Sequence, residues 1–345
     1  MDSSNVSTER EPVVRFDPAK PLQVGGQAVI EGVMMRAPGK IATAVRRADG
    51  TIVVRQKKYV TLAEKYKVFK LPVLRGAAGL LEMMFVGIET LNFSAEVAMH
   101  DLDLQERAKK NGEGIRKRKS KSNIQLGLTV IFALLLGIAI FFVIPLVVTT
   151  NLFALEQDAV WFNLVAGLIR FVILFFYLVA ISRIKDVRRL FAYHGGEHKA
   201  VMTFESQKEL TVESAAGSSR FHPRCGTSFI LIVVLVSILL FSIFDSFLIL
   251  LLGSITLPIR LLTHLPLIPF VGGIAYEFIR WSSRRSHTPL GKILIAPGLW
   301  MQKITTGEPD PSQIEVALVA LRCALGMESH SSVRHINSVA ELVEQ

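Results

Sequence analysis

The chain has 345 residues, half of them apolar, with only 20% charged and a mean hydropathy of +0.42. Its 39 Lys and Arg exceed its 29 Asp and Glu, for a formal charge of +10. A disordered chain is excluded by this composition and a disulfide scaffold by the presence of only two cysteines, Cys225 and Cys323. The apolar residues are gathered into long runs, which also argues against a purely soluble globule.

Residues 1–22 are polar and mixed in charge, without the apolar core of a cleaved signal, and read as a flexible tail. Residues 23–71 read as a small cytosolic β unit. Ala42–Arg47 and Ile52–Tyr59 flank Asp49-Gly50, a dipeptide that tolerates positive φ and suits a hairpin turn. Gly25-Gly26 predicts a turn entering a strand through QAVIEGVMMR. Residues 72–106 form an amphipathic or interfacial helix, apolar nearly all round. On it Arg75, Glu82, Glu89 and Glu96 recur every seven residues in one stripe. A solvated face is the simpler reading of that stripe; a polar wall facing a site is the other.

Residues 107–125 are a basic linker. Eight Lys and Arg lie between Arg107 and Lys121 against the single acid Glu113, which reads as a topology signal and a contact for anionic lipids. No aromatic residues interleave, so no specific nucleic-acid site is expected.

Residues 126–148 carry no charge for 23 residues, enough helix to cross a hydrocarbon core of about 30 Å at about 1.5 Å per residue. Trp161 to Ser182 is a second span, with Arg170 inside it. From Thr227 to Ile259 only Asp245 interrupts an apolar run too long for one crossing. It divides into helices at 227–252 and 257–279, the latter expected to bend at Pro258, Pro266, Pro269 and Gly272-Gly273. Residues 126–182 thus hold the first two transmembrane helices, 183–226 a cytosolic motif loop, and 227–280 the last two. The final part, 281–345, is a cytosolic segment with a helix near 312–325. Basic flanks alternate with non-basic ones as four crossings require. The fold class is therefore mainly α: a polytopic helical membrane protein of the cytoplasmic membrane, both termini cytosolic. The helix at 72–106, flanked on both sides by basic residues, is left at the interface or packed on the bundle.

The motif loop concentrates the chemistry. His194-Gly195-Gly196-Glu197-His198 is an H-x-x-E-H string: on a helix, imidazoles at i and i+4 share a face and bind one zinc ion, with Glu197 beside them as general base. The glycine pair favours helix poorly, so a kinked or looped geometry stands as an equal alternative. His222-Pro223-Arg224-Cys225 offers a second ligand pair, His222 and Cys225, for zinc or another divalent metal. A closed structural site and an open catalytic one both fit these four residues. Arg220 and Arg224 suit an anionic group or simply the positive-inside bias, and Glu277 and Arg280 sit at the inner end of the fourth span. His264, nearer the outer side, reads as a helix-packing residue.

Four strings taken together, GGQAVIEGVMMRAPGK at 25–40, YHGGEHKAV at 193–201, FHPRCGTSF at 221–229 and APGLWMQKITTGEPD at 296–310, resemble the bacterial YqhQ family. That resemblance implies a membrane protein labelled a metal-dependent enzyme. It brings forward Glu31 as a second catalytic candidate, and Arg36 and Thr305–Glu308 as polar site residues. Members more often carry HGAEHK, and Gly196 stands here at the alanine position.

Two functions compete on this reading. One is a zinc-dependent hydrolase at the cytosolic membrane face. The other is a non-enzymatic scaffold or assembly factor for a cytosolic, translation-related partner, with any metal structural; homo-oligomerisation is open to both. Arg170 and Asp245 leave a transporter as a weaker third.

Overall fold

A computed structural model describes residues 24–109, 123–285, 287–327 and 333–342. The tail at 1–22 and most of the basic block at 107–121 lie outside them.

Strands β1 (Gly25–Val29), β2 (Gly32–Ala37), β3 (Lys40–Arg46) and β4 (Ile52–Lys58) pair as an antiparallel meander. A fifth strand, β5 (Val333–His335), adds in parallel to β4. Gly25 and Gly26 lie inside β1 rather than in a turn, and the run QAVIEGVMMR breaks at Ile30-Glu31 into a hairpin, with Glu31 at φ 52°. At the β3–β4 hairpin only Gly50 takes positive φ (88°); Asp49 accepts the backbone N–H of Thr51 on its side chain instead.

The sheet is buried on both faces, and the period-two geometry of strands shows how. Val33, Met35, Ala42, Ala44 and Val54 join one core; Met34, Ile41, Val45 and Val53 join the other. Helix α11 (Pro311–Ala324) and helix α6 (Lys185–Glu205) cover the first face. Phe93 and Val97 of α2 (Leu74–Lys109) cover the second. A short helix α1 (Leu62–Lys65) precedes α2. α2 works at both ends. Its N-terminal half packs on a later helix through Gly76, and near its far end Asp101 accepts Nε and Nη2 of Arg47 at 2.9 and 2.7 Å. Its stripe is exposed at Glu89 and Glu96 and half-buried at Glu82, with Glu89 paired to Lys57 and Glu82 accepting the Leu62 N–H.

Among the described residues, four helical segments have the length and composition to cross a membrane: Gly127–Phe153, Ala159–Ile181, Gly226–Leu252 and Leu257–Ser283. The first comprises α3 (Asn123–Ile138), a π-helical turn (Ala139–Val143) and α4 (Ile144–Phe153); the others are α5, α8 and α9. A short helix α7 (Val212–Ala216) lies between α6 and α8. α9 runs through Pro266 and Pro269 as one helix. Pro145 has no N–H to give the Phe141 carbonyl, and Arg170 Nε donates to that oxygen at 2.8 Å while Nη1 donates to Ser237 Oγ at 3.0 Å. The arginine inside this apolar helix is thereby satisfied by a defect in the neighbouring helix. Asp245, Arg260 and His264 are all fully buried. Asp245 accepts from Asn163 (2.8 Å), Arg260 Nε (2.9 Å) and His264 Nε2 (2.7 Å), joining α5, α8 and α9.

Helix α10 (Pro289–Thr305) was not expected, since Pro289 and Pro297 argue against it. Pro289 occupies the first turn after the Thr288 N-cap, where a missing N–H costs nothing, and Pro297 lies mid-helix. β5 is also absent from the sequence reading; three residues carry no usable periodicity.

Candidate metal centre

α6 carries the H-x-x-E-H string as continuous helix, despite its two glycines. Close approach explains them. A β-carbon at Gly195 would overlap the Gly307 carbonyl oxygen, and Gly307 N–H in turn donates to Phe191 O at 2.7 Å. At Gly196 the nearest atom, Gln313 O, stands off at 3.4 Å. The glycines therefore let the 306–313 segment lie directly on α6.

His194 and His198 lie on one face with ring centroids 4.5 Å apart. His194 Nδ1 is 2.8 Å from the Thr305 carbonyl, and His198 Nδ1 is hydrogen-bonded to the Arg220 carbonyl. A carbonyl only accepts, so each Nδ1 carries the proton and each Nε2 presents a lone pair. Cys225 Sγ is 3.4 Å from His194 Nε2. One ligand atom from each of His194, His198 and Cys225 lies within 4.8 Å of the others. Cys225 is also the N-cap of α8, where free N–H groups and the positive end of the helix dipole favour a negatively charged ligand atom. Two imidazoles oriented by backbone carbonyls plus a cysteine sulfur form a donor set suited to zinc, one ligand short of its usual four.

His222, Glu31, Glu277 and Arg36 are placed otherwise. His222 is buried beside the trio, its ring 5.7 Å from that of His198, with Nε2 directed at Glu205 (3.2 Å) and Nδ1 accepting Arg224 N–H (3.3 Å). Burial pushes its pKa below the usual imidazole range, against the opposing field of Glu197. Gln302 clamps its backbone, accepting the N–H and donating to the C=O, both at 2.8 Å. Glu197 is buried, with Oε2 3.6 Å from His198 Nε2. Glu31 turns instead to Arg189 (2.6 Å) and the Tyr193 hydroxyl (3.3 Å). Burial and the Glu31 charge push that phenol above its ordinary pKa. Arg36 stacks on Tyr59 on the sheet face toward α2, away from α6. Glu277 is taken by Arg75, and the buried Nε of Arg280 has no hydrogen-bond partner. Arg220 donates to the Thr306 carbonyl, and Arg224 pairs with Glu205.

The sequence reading missed Gln302 and Glu205, and it brought Thr305 forward only through the family resemblance, without its carbonyl's role. Backbone acceptors leave no mark in side-chain identity, and a glutamine in an apolar helix was the only available hint.

A family model described as a protein of unknown function, DUF1385, matches residues 71–327. The chain belongs to this family. The trio, its two carbonyl partners and Gln302 all lie inside the matched residues, whereas β1–β4 precede them. The chain is also similar to the uncharacterized protein YqhQ of Bacillus subtilis (strain 168), 34% identical over 321 residues, covering 90% of this chain and 95% of that one. No solved structure matches.

Proposed function

We propose that the chain is a multi-pass protein of the cytoplasmic membrane that hydrolyses its substrate at the cytosolic face, using a divalent metal held by His194, His198 and Cys225. Zinc is the first choice for that donor set. The observation that carries the reading is the pair of imidazoles locked at Nδ1 by the Thr305 and Arg220 carbonyls, with the Nε2 of His194 3.4 Å from the Sγ of a helix-capping cysteine. The position follows from the chain: α8 begins at Gly226, directly after Cys225, and α5 ends at Ile181, so the trio sits at the ends of two apolar helices. The short connections 154–158 and 253–256 meet at the opposite end, where Gln157 bonds Ile255.

A metal held by this trio would supply Lewis-acid activation of a water at neutral pH. Glu197, buried with Oε2 3.6 Å from His198 Nε2, is the residue that would take a proton from the attacking water and return it to the leaving group. Glu31, engaged by Arg189 and Tyr193, does not share that role, and His222 orients the loop through Gln302 rather than contributing a ligand.

A scaffold with a structural metal is the second reading, favoured by the burial of His198 and Cys225 and by the way the trio ties α6, α8 and α10 together. The first experiment is metal analysis of detergent-purified protein, beside the double variant His194→Ala, His198→Ala. About one equivalent of metal in the parent, lost in the variant, supports a centre. No metal in protein purified without chelators removes it.

A further inference from the structure

Between α8, α9 and α10 runs a groove of about 420 Å³, lined by apolar side chains alone. Ile232, Leu239 and Ile243 of α8, Phe278 of α9, and Ile293 and Pro297 of α10 form its walls. Its volume falls within the range of small-molecule pockets, roughly 300–1,000 Å³. Its rim stays open: Leu239 is 66% exposed, Ile243 61% and Ile293 68%.

α8 and α9 belong to the spanning-length set, so on the membrane reading proposed above the groove opens to hydrocarbon rather than water. α10 is the unusual wall. At 17 residues it is about 26 Å long. It starts beside the end of α9, where Gly291 packs on the Arg285 carbonyl, and finishes at Thr305, whose carbonyl holds His194. Gly298, Met301, Gln302 and Thr305 are buried, while Leu290, Ile293 and Trp300 stay exposed, the pattern of a helix lying along an apolar surface. Three cations lie close in the chain to the groove's α9–α10 lining, one of them, Arg285, stacked on the Trp281 ring. Arg284 and Arg285 follow α9, and Lys292 precedes the lining residue Ile293; all three are exposed.

We propose that this groove is a binding site for an anionic glycerophospholipid of the cytosolic leaflet, one acyl chain lying between α8, α9 and α10 and the headgroup meeting Arg284, Arg285 and Lys292. Apolar walls fit the chain, and the flanking cations fit the phosphate. The site also touches the metal centre mechanically, because α10 forms one wall and anchors His194 and His222. Binding does not depend on the hydrolase reading and is tested apart from it.

The test uses the full chain in nanodiscs of phosphatidylglycerol and phosphatidylcholine, with a probe lipid carrying a photoreactive group on its acyl chain. Labelled peptides are mapped by mass spectrometry and metal content is measured on the same preparations. Labelling concentrated several-fold on 232–243 and 293–297, relative to Leu262 and Phe132 on other exposed apolar faces, is expected. It should fall to that background in Leu239→Trp, or in Ile293→Trp should the first variant lose its folded state. A phosphatidylglycerol probe should label more than a phosphatidylcholine probe. Labelling spread evenly over all apolar faces, or unchanged by both tryptophans, overturns the site. Equal labelling by the two headgroups overturns its anionic selectivity. Metal content stays constant in either variant, so a failed groove and a failed metal centre give different results.

Discussion

Gly195 lies against Gly307 with no space for a β-carbon between them, so the H-x-x-E-H helix and the segment leading into α11 touch backbone to backbone. The glycine pair that looks adverse to helix is what brings Thr305 within reach of His194, because α10 ends where this contact begins.

Gly195→Ala is therefore expected to destabilise the protein by about 1–3 kcal/mol, the usual cost of forcing extra volume into a packed contact. Gly196→Ala, whose new carbon would meet Gln313 O at 3.4 Å, should be far milder. Thermal unfolding in detergent compares the two. Equal stabilisation of both variants would show that helix propensity, which favours alanine, outweighs the contact at Gly195.

Gln302 holds both backbone polar groups of His222 inside the protein. Gln302→Ala strands a buried N–H and C=O, which costs about 1–3 kcal/mol. It should also loosen the loop carrying Arg220 and Cys225, lowering metal affinity without removing any ligand. Metal titration of the variant against the parent reads this directly; an unchanged affinity would confine Gln302 to a stabilising role.

Where residue type sets the structure, the sequence was informative. The apolar runs mark four spanning-length helices to within a few residues, because an uncharged run of that length has few alternatives, and the histidines at i and i+4 mark one face of α6. Reading failed where tertiary contact decides. Gly25-Gly26 entered a strand because Gly26 packs close to Met34 O and Glu197 in a way that only the folded sheet reveals. α10 has no counterpart in the sequence reading, and the pairing of Glu31 with Arg189, 158 positions away, is a contact that only the fold makes. H-x-x-C spacing likewise cannot show that Glu205 and Arg224 N–H engage the His222 imidazole.

Glu197→Gln separates the two functional readings. The amide preserves volume but cannot take a proton, so metal content and unfolding temperature should match the parent. Hydrolysis in an esterase, lipase and peptidase screen should fall by about 10²–10⁴, the usual share of a general base. A variant that keeps full activity in that screen would move the protein to the scaffold reading.

Asp310 caps α11, accepting the Gln313 N–H at 2.9 Å and the Ser312 hydroxyl. Burial opposes its charge, but these hydrogen bonds prevail and hold its pKa below the ordinary carboxylate value. Because the folded-state value is depressed, its contribution is present at neutral pH and is lost as pH falls through that value. Asp310→Ala should cost about 1 kcal/mol at pH 7. The gap from the parent should narrow below about pH 4, near the unfolded aspartate pKa. A gap that stays constant down to pH 3 would assign the effect to helix propensity alone.

Asp245 is the hub of the three-helix contact, and removing it alone is the harshest change available in the bundle. Asp245→Leu leaves Arg260, itself fully buried over the Phe162 ring, without its carboxylate, and His264 without its acceptor. Breaking one side of a buried pair typically costs about 3–5 kcal/mol, because the orphaned charge remains inside. Removing the cation as well, in Asp245→Leu with Arg260→Leu and His264→Leu, should recover most of that loss, since apolar replacements of similar volume are often neutral. Unfolding temperatures of the single and triple variants in one detergent make the comparison. If the triple variant unfolds no later than the single one, the network holds the helices in register through its specific hydrogen bonds, and the apolar packing around Phe162 and Phe241 is not enough to replace them.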